Sequence, residues 1–307
     1  MPAADLVIHS NHAPRVDSAA GVRLRWDTVY SNHKGDEKKS IRKRADKAIG
    51  KLQDILRKVL RPDEVVLYLA RAQAPVNMVE QLTFGWYIYY VTGTFLVLTN
   101  RRLLHFLVKR DGSWKRSLRS VHWGDVEEAK VRGWLSPQLK LKYRNGKKET
   151  YWGLRRDDAK KINVLLQALL LGSLGEVTAT HTTVSLCPEC LAELRPGLYQ
   201  CSQCHLTFKD EKTLIRRSLF IPGGGYFYTG HWFLAFGDFF AEAILLLVLA
   251  MLVVNALIPS APQPGEPAPD PVSAWVAVGF VAFVLAVEKL LTVYHCRRFI
   301  REFMPAN

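Results

Sequence analysis

Cys187, Cys190, Cys201 and Cys204 form two Cys-x-x-Cys pairs with ten residues between them. Each pair can set two thiolates on one side of a tight turn, and two facing pairs make the tetrahedral sulfur cage that Zn2+ favours. Pro196-Gly197, midway between the pairs, supplies the turn of a short connecting hairpin. Ten residues are fewer than the roughly 15–20 of the commonest four-Cys pattern. Two disulfides are the alternative, but the rest of the chain argues for a reducing compartment, which favours metal. The expectation is one Zn2+ in a structural role, because four thiolates close the cage and leave no position for water or substrate. His205, beside Cys204, would be a fifth ligand that such a cage does not need.

No second constellation of this kind is present. His105, His122, His181, His205, His231 and His295 are scattered, and the chain lacks a Walker pattern, Gly-x-Ser-x-Gly, His-Glu-x-x-His and the kinase set. The chain is therefore expected not to be an enzyme, and no small-molecule substrate is evident. Cys296 reads as a packing residue or an acylation site.

The elements that must position the cysteines come next. The 307 residues allow two or three domains, and 49% hydrophobic content coexists with a net charge of +14. The two properties are segregated. No Lys or Arg occurs from Ser218 to Glu288, whereas the chain before it is strongly basic and Lys289, Arg297, Arg298 and Arg301 follow. Two apolar runs, about 231–258 and 272–294, are each long enough for the ~20 residues of a membrane-spanning helix. The Pro-rich segment 259–271 between them bears only negative charge. Arg216 and Arg217 precede this hairpin, so both of its ends are expected on the cytosolic side and the loop outside. The first residues carry no apolar signal core, which agrees with a cytosolic large domain. A buried pair of helices in a soluble fold is the alternative.

Charges within the runs need partners. Asp238 and Glu242 share a helical face, and Glu288 and Lys289 lie near the end of the second run. Counting inward at ~1.5 Å per residue places Asp238 and Lys289 at similar depth, which predicts an intramembrane Asp238–Lys289 pair. Packing explains such a pair more simply than an ion path, since two helices enclose no pore.

Before the first run stands Ile221-Pro222-Gly223-Gly224-Gly225-Tyr226-Phe227-Tyr228-Thr229-Gly230-His231-Trp232, whose glycines and proline should break a helix and whose aromatics suit the headgroup zone. These residues, with the hairpin layout, resemble the Pro-Gly-x-Gly-x-x-Tyr-x-Gly segment of TM2-like bacterial membrane proteins. A nucleotide-binding Gly-rich loop would need a Lys and a strand, and neither is present.

Residues 1–35 show no periodicity and read as a disordered arm, with 36–61 as a basic amphipathic helix. Its apolar stripe is Ile41, Ala45, Ala48, Ile49, Leu52, Ile55, Leu56, Val59 and Leu60. Lys38, Lys39, Arg42, Lys43, Arg44, Lys47, Lys51, Arg57 and Lys58 occupy the other faces. The helix either packs on the next domain, lies on an anionic membrane surface, or touches nucleic acid.

From Glu64 onwards the period becomes two. Strands are expected at 65–71, 86–90, 93–98, 103–109, 115–122, 126–132, 139–143 and 149–154. Asp111-Gly112 and Asn145-Gly146 mark hairpin turns, and an amphipathic helix follows at 156–171. Strands closed by one C-terminal helix resemble the pleckstrin-homology superfold. Gly93-Thr94-Phe95-Leu96-Val97-Leu98-Thr99-Asn100-Arg101-Arg102-Leu103 is similar to the strand-turn-strand of bacterial PH-like and GRAM-type domains. The resemblance covers about 62–172. It implies a β-barrel half-capped by a helix, binding phosphoinositide-type headgroups or protein partners.

The expected fold class is thus a multidomain α+β membrane protein. It combines a PH-like β-barrel with a C-terminal helix, a small zinc ribbon at 183–210, a membrane hairpin at 218–296 with two transmembrane helices, and a basic tail at 297–307. Lys115, Arg116, Lys147 and Lys148, in or beside hairpins, join the basic helix as candidates for an anionic-surface site. A solvated strand face is the plainer reading of them, and Trp114, Trp123, Trp134 and Trp152 read as core or edge aromatics. The expected function is that of a membrane-anchored adaptor that meets anionic lipid or a protein partner at the inner membrane face. A membrane-tethered nucleic-acid binder and an accessory subunit of a transport or secretion complex are the alternatives. The bacterial resemblances imply a bacterial inner membrane.

Overall fold

A computed structural model describes residues 16–19, 21–77, 79–81, 85–171, 177–258 and 271–306. The chain divides into two compact units, Met1–Leu206 and Thr207–Asn307. The Pro-rich loop lies outside the described residues, apart from Pro271.

The first unit is built on a large sheet in which both faces are covered. Its strands run in the order β1 (Val16–Ala19), β2 (Val22–Arg25), β3 (Val66–Gln73), β4 (Gly93–Thr99), β5 (Arg102–Val108), β6 (Trp114–His122), β10 (Val184–Leu186) and β11 (Glu193–Leu194). All neighbours are antiparallel except β2 and β3. A second sheet joins β7 (Val126–Arg132), β8 (Gln138–Tyr143) and β9 (Lys148–Tyr151). The two sheets are linked by the Gln73–Trp152 bridge, and no continuous closed barrel forms among the described residues.

Alternation divides the side chains of the large sheet between two cores. Leu96, Leu98 and Leu103 point into one core, with Leu139, Leu141 and Tyr143 of the small sheet. Ile162, Leu165, Leu166 and Leu169 of α2 (Arg156–Leu171) complete that core. Val97, Leu104, Phe106 and Val108 point the other way, against α1 (Lys39–Val59). Burial on both faces explains why Leu96-Val97-Leu98 and Phe106-Leu107-Val108 read as unbroken apolar runs.

The basic helix therefore packs on its own domain. Ile41, Ala45, Ala48, Ile49, Leu52, Ile55, Leu56 and Val59 are all buried, and the basic faces look outward. Its C-terminal carbonyl at Val59 accepts from Arg102 Nη2 at 2.8 Å. Arg102 also forms a buried pair with Glu64 at 2.9 Å. Thr99 Oγ1 donates to Glu64 Oε1 at 2.7 Å, and Asn100 Oδ1 accepts from the Val65 amide at 2.9 Å. The Thr99-Asn100-Arg101-Arg102 turn is thus a structural clasp between α1 and the sheet.

Two expectations are corrected here. The arm expected over 1–35 is folded chain from Val22: β2 joins the sheet, and Val22, Leu24, Val29 and Tyr30 are buried. Residues 1–15 lie outside the described residues. The strand expected at 86–90 is instead a 3-10 turn, Gly85–Tyr87, running into a helical turn, Ile88–Val91. Ile88 and Val91 are buried three residues apart, so a helical spacing overrides the strand propensity of the aromatics.

The second unit contains α3 (Glu211–Phe220), α4 (Gly224–Thr229), α5 (Trp232–Leu257) and α6 (Pro271–Arg301). α5 and α6 are long and apolar enough to cross a membrane. Unlike core helices of a soluble fold, they expose their apolar side chains, including Ile244, Leu247, Phe280 and Phe283. The Gly-rich segment is a close-packed elbow rather than a simple break, since Gly224 and Gly225 are helical. A Cβ on Gly223 would stand 2.4 Å from the Ala235 carbonyl oxygen, and one on Gly225 would stand 2.4 Å from Ser218 Oγ. The region read as a basic tail is also folded. α6 continues through Arg301, Arg297 pairs with Glu211 at 2.5 Å, and Ala306 donates to the Thr207 carbonyl at 3.0 Å.

Candidate functional site

The four cysteines come together. Cys187 Sγ lies 3.5 Å from Cys204 Sγ, and Cys190 Sγ lies 3.4 Å from Cys201 Sγ. All four sulfurs fall within 4.8 Å of one another. These separations exceed the ~2.05 Å of a disulfide and approach those of a tetrahedral cage with ~2.3 Å metal–sulfur bonds.

Each pair sits in the same backbone knuckle. The Cys187 amide donates to the Ala192 carbonyl at 2.9 Å, and the Cys201 amide donates to the Leu206 carbonyl at 2.9 Å. The Leu191 amide donates to Cys187 at 3.0 Å, and the His205 amide donates to Cys201 at 3.1 Å. Leu191 and His205 occupy equivalent positions with φ of 64° and 58°. His205 is therefore fixed by its backbone role in the second knuckle. Both residues accept a left-handed conformation that costs of order 1 kcal/mol, as expected where the surrounding bonds over-determine the loop.

The electrostatics suit a cation. Burial raises the Cys187 thiol to about 12, against the amides of Cys190 and Glu189 that favour its thiolate. Burial also opposes ionisation of Cys201, yet the amides of Cys204 and Gln203 bring it down to about 7. Four thiolates cannot coexist here without a compensating charge, which a bound metal ion would supply. The donor set and the amides turned toward sulfur fit such an ion.

The cluster is not an independent ribbon. β10 extends the large sheet by pairing with β6, with Leu186 opposite Leu118, and the first knuckle follows directly. Glu189 within that knuckle pairs with Arg116 and lies 3.6 Å from Lys58. The first cysteine knuckle, the sheet and the end of α1 form one assembly.

The expected anionic-surface residues do not form a single patch. Lys38, Lys39, Arg42, Lys43, Arg44 and Lys47 lie along α1 and its N-terminal cap, on the outer face of the large sheet. Arg42 stacks over Trp26, and Arg44 lies 3.6 Å from Asp158. Lys147 and Lys148 belong to the β8–β9 turn of the small sheet, on the opposite side of the large one. Arg116 is engaged by Glu189, and Lys115 Nζ donates to the Val91 carbonyl at 3.2 Å. Chain position alone could not assign these charges to separate faces.

Comparison of the chain with protein-family models, curated proteins and solved structures returns no match.

In the second unit Lys289 pairs with Glu242, not with Asp238, and donates to the Ser218 carbonyl at 2.7 Å. Asp238 accepts from Thr292 Oγ1 at 3.3 Å, and Thr292 also donates to Glu288 at 2.8 Å. The reason is helix length. The second helix runs to Arg301 rather than 294, which puts Lys289 twelve residues from its end, against ten from Trp232 to Glu242 and six to Asp238. The carboxyls of Asp238, Glu242 and Glu288 lie within 4.8 Å of one another. Cys296 is buried beside Thr229 and Gly225, which is a packing position.

Proposed function

We propose that the chain is a membrane-anchored adaptor whose first unit meets anionic lipid at the cytosolic face. In this reading α5 and α6 cross a bacterial inner membrane as a hairpin, both ends of the chain are cytosolic, and the first unit is a PH-like domain. The carrying observation is the pairing of two helices with outward apolar side chains and a separate unit whose α1 turns a row of lysines and arginines to solvent. The absence of Lys and Arg between Ser218 and Glu288, with cations on both flanks, supports the orientation. A four-strand run, β3 to β6, a three-strand sheet and a closing helix support the PH-like assignment. The four cysteines hold one Zn2+, whose work is to fix the knuckles against the sheet and not to carry out chemistry.

The test uses the full chain in lipid nanodiscs. Acetylation of Lys38, Lys39, Lys43 and Lys47 should slow in discs rich in phosphatidylglycerol relative to phosphatidylcholine, and recover in high salt. Equal rates in both discs would overturn the lipid reading. Elemental analysis should return one zinc per chain, and protease should reach the Pro-rich loop only from the outer side.

A further inference from the structure

A cleft of about 310 Å³ opens between α1, the outer face of β3 and β4, and the start of α2. Its volume lies at the lower end of the ~300–1,000 Å³ typical of ligand sites. The floor is apolar, from Val29, Ile41, Ala45, Ala48, Leu69 and Phe95. Six cations stand around it: Arg44, Lys47, Lys51, Arg71, Arg110 and Arg155. Only two carboxylates, Asp111 and Asp158, answer them.

Both carboxylates are already occupied. Asp111 accepts from the Ser113 amide at 3.0 Å and its hydroxyl at 2.7 Å, which closes the β5–β6 turn. Asp158 accepts from the Tyr68 hydroxyl at 2.9 Å and lies 3.6 Å from Arg44. The side chains of Lys47, Lys51 and Arg155 make no hydrogen bond or ion pair among the described residues, although Lys51 and Arg155 lie near enough to Asp111 and Asp158 to act on them electrostatically. Lys47 and Lys51 are four apart on α1, on one helical face, and both line the cleft. An excess of four positive charges therefore surrounds an apolar floor. A solvated basic surface has no need of such a floor, whereas a ligand with an anionic head and a hydrocarbon body would use both parts.

We infer that this cleft binds a phosphate-bearing lipid headgroup, with phosphate against Lys47, Lys51 and Arg155 and the adjoining glycerol and first methylenes on the apolar floor. The inference rests on the lipid reading above and narrows it from a charged helix face to one defined site.

The test is binding of dioctanoyl phosphatidic acid to the full chain in neutral detergent, followed by native mass spectrometry. Binding should be saturable, with dioctanoyl phosphatidylcholine and inorganic phosphate failing to displace it. The combined Lys47→Gln, Lys51→Gln and Arg155→Gln variant should weaken it by about fivefold per cation, on the order of a hundredfold in all. These side chains are exposed, so melting temperature should hold and loss of binding will not reflect unfolding. The Arg132→Gln and Lys140→Gln variant, on exposed positions of the small sheet outside the cleft, should bind as the parent does. If the Lys38→Gln, Lys39→Gln and Lys43→Gln variant loses binding and the cleft variant does not, the charged helix face stands and the cleft is refuted. If the parent chain binds no anionic lipid, both readings fall. Displacement by inorganic phosphate, or by an oligoribonucleotide, would also overturn the lipid assignment.

Discussion

Lys161 offers a quantitative test of how the N-terminal segment is held. It sits on α2 at 1% exposure and donates to Ser31 Oγ at 2.7 Å and to the Asn32 carbonyl at 3.0 Å. Neither partner carries a charge. The nearest carboxylate, Asp27, is bound to Arg25 in a buried pair at 3.2 Å. Burial therefore lowers the Lys161 ammonium from 10.5 to about 8, with Asp27 only partly opposing it. Between these two values the folded chain binds fewer protons than the unfolded chain, so stability rises with pH across the window. The difference corresponds to about 3 kcal/mol, withheld below pH 8 and recovered by about pH 10.5. Lys161→Met removes both the desolvated charge and the two hydrogen bonds. The bonds are worth ~1 kcal/mol each net, so the variant should lie within ~2 kcal/mol of the parent at neutral pH. At alkaline pH the parent should gain on it by about 3 kcal/mol. The assay is urea unfolding of the first unit in detergent by tryptophan fluorescence, for which six of the eight tryptophans lie in that unit. Parallel pH profiles for parent and variant would refute the reasoning, because tyrosines and other lysines titrate alike in both.

Two further predictions concern the second unit. Gly224→Ala would place a Cβ 2.2 Å from the Arg217 carbonyl oxygen, so melting temperature in detergent should fall with a cost of at least ~1–3 kcal/mol. Gly237→Ala, which meets nothing within 4 Å, should be neutral or gain ~0.5–1 kcal/mol. Glu242→Gln or Lys289→Met alone should destabilise by ~3–5 kcal/mol, and the double variant by clearly less than their sum. An additive cycle would break the assigned pair, and a stronger coupling of Lys289 to Asp238 would restore the pairing expected from residue counting.

Several features were legible in the sequence because they depend on local spacing. The four cysteines, the helix at 156–171, the two apolar runs and the Asp-Gly and Asn-Gly turns are of this kind. The Asn145-Gly146 turn carries φ of 81° at its glycine, and the Asp111-Gly112 turn 86°, as such hairpins require. The remaining features depend on tertiary pairing. Nothing in Val22 to Tyr30 announces that one short strand pairs in parallel with β3, through Leu24 opposite Val66. Likewise Glu242 and Asp238 are equivalent by helical period, and only the length of α6 and the nearness of the Ser218 carbonyl select Glu242. The basic cleft escaped sequence reading because Lys47 and Lys51 on α1, Arg110 in a turn and Arg155 before α2 converge only in the folded chain.

The packing of α1 also restricts how the first unit can meet a bilayer. A free amphipathic helix binds lipid by sinking its apolar face about 5–10 Å into the headgroup boundary. In this chain that face is consumed, since Ile49, Leu52, Leu56 and Val59 are each under 5% exposed against the large sheet. Releasing them would cost ~1.5–3 kcal/mol per side chain and would strip Val97, Leu104 and Phe106 of their cover. The Arg102 hydrogen bond to Val59 and the Glu64 pair would be lost with them. Insertion is thus opposed by a core of its own making. What remains to the bilayer surface, apart from the cleft, is electrostatic attraction through the outward lysines, at ~1 kcal/mol each near an anionic surface and fading within about 8–10 Å at physiological salt. Attraction that weak and short-ranged does not hold a protein on a membrane by itself. It becomes effective where the chain already carries an anchor, because α5 and α6 would raise the local concentration of lipid that the basic residues see.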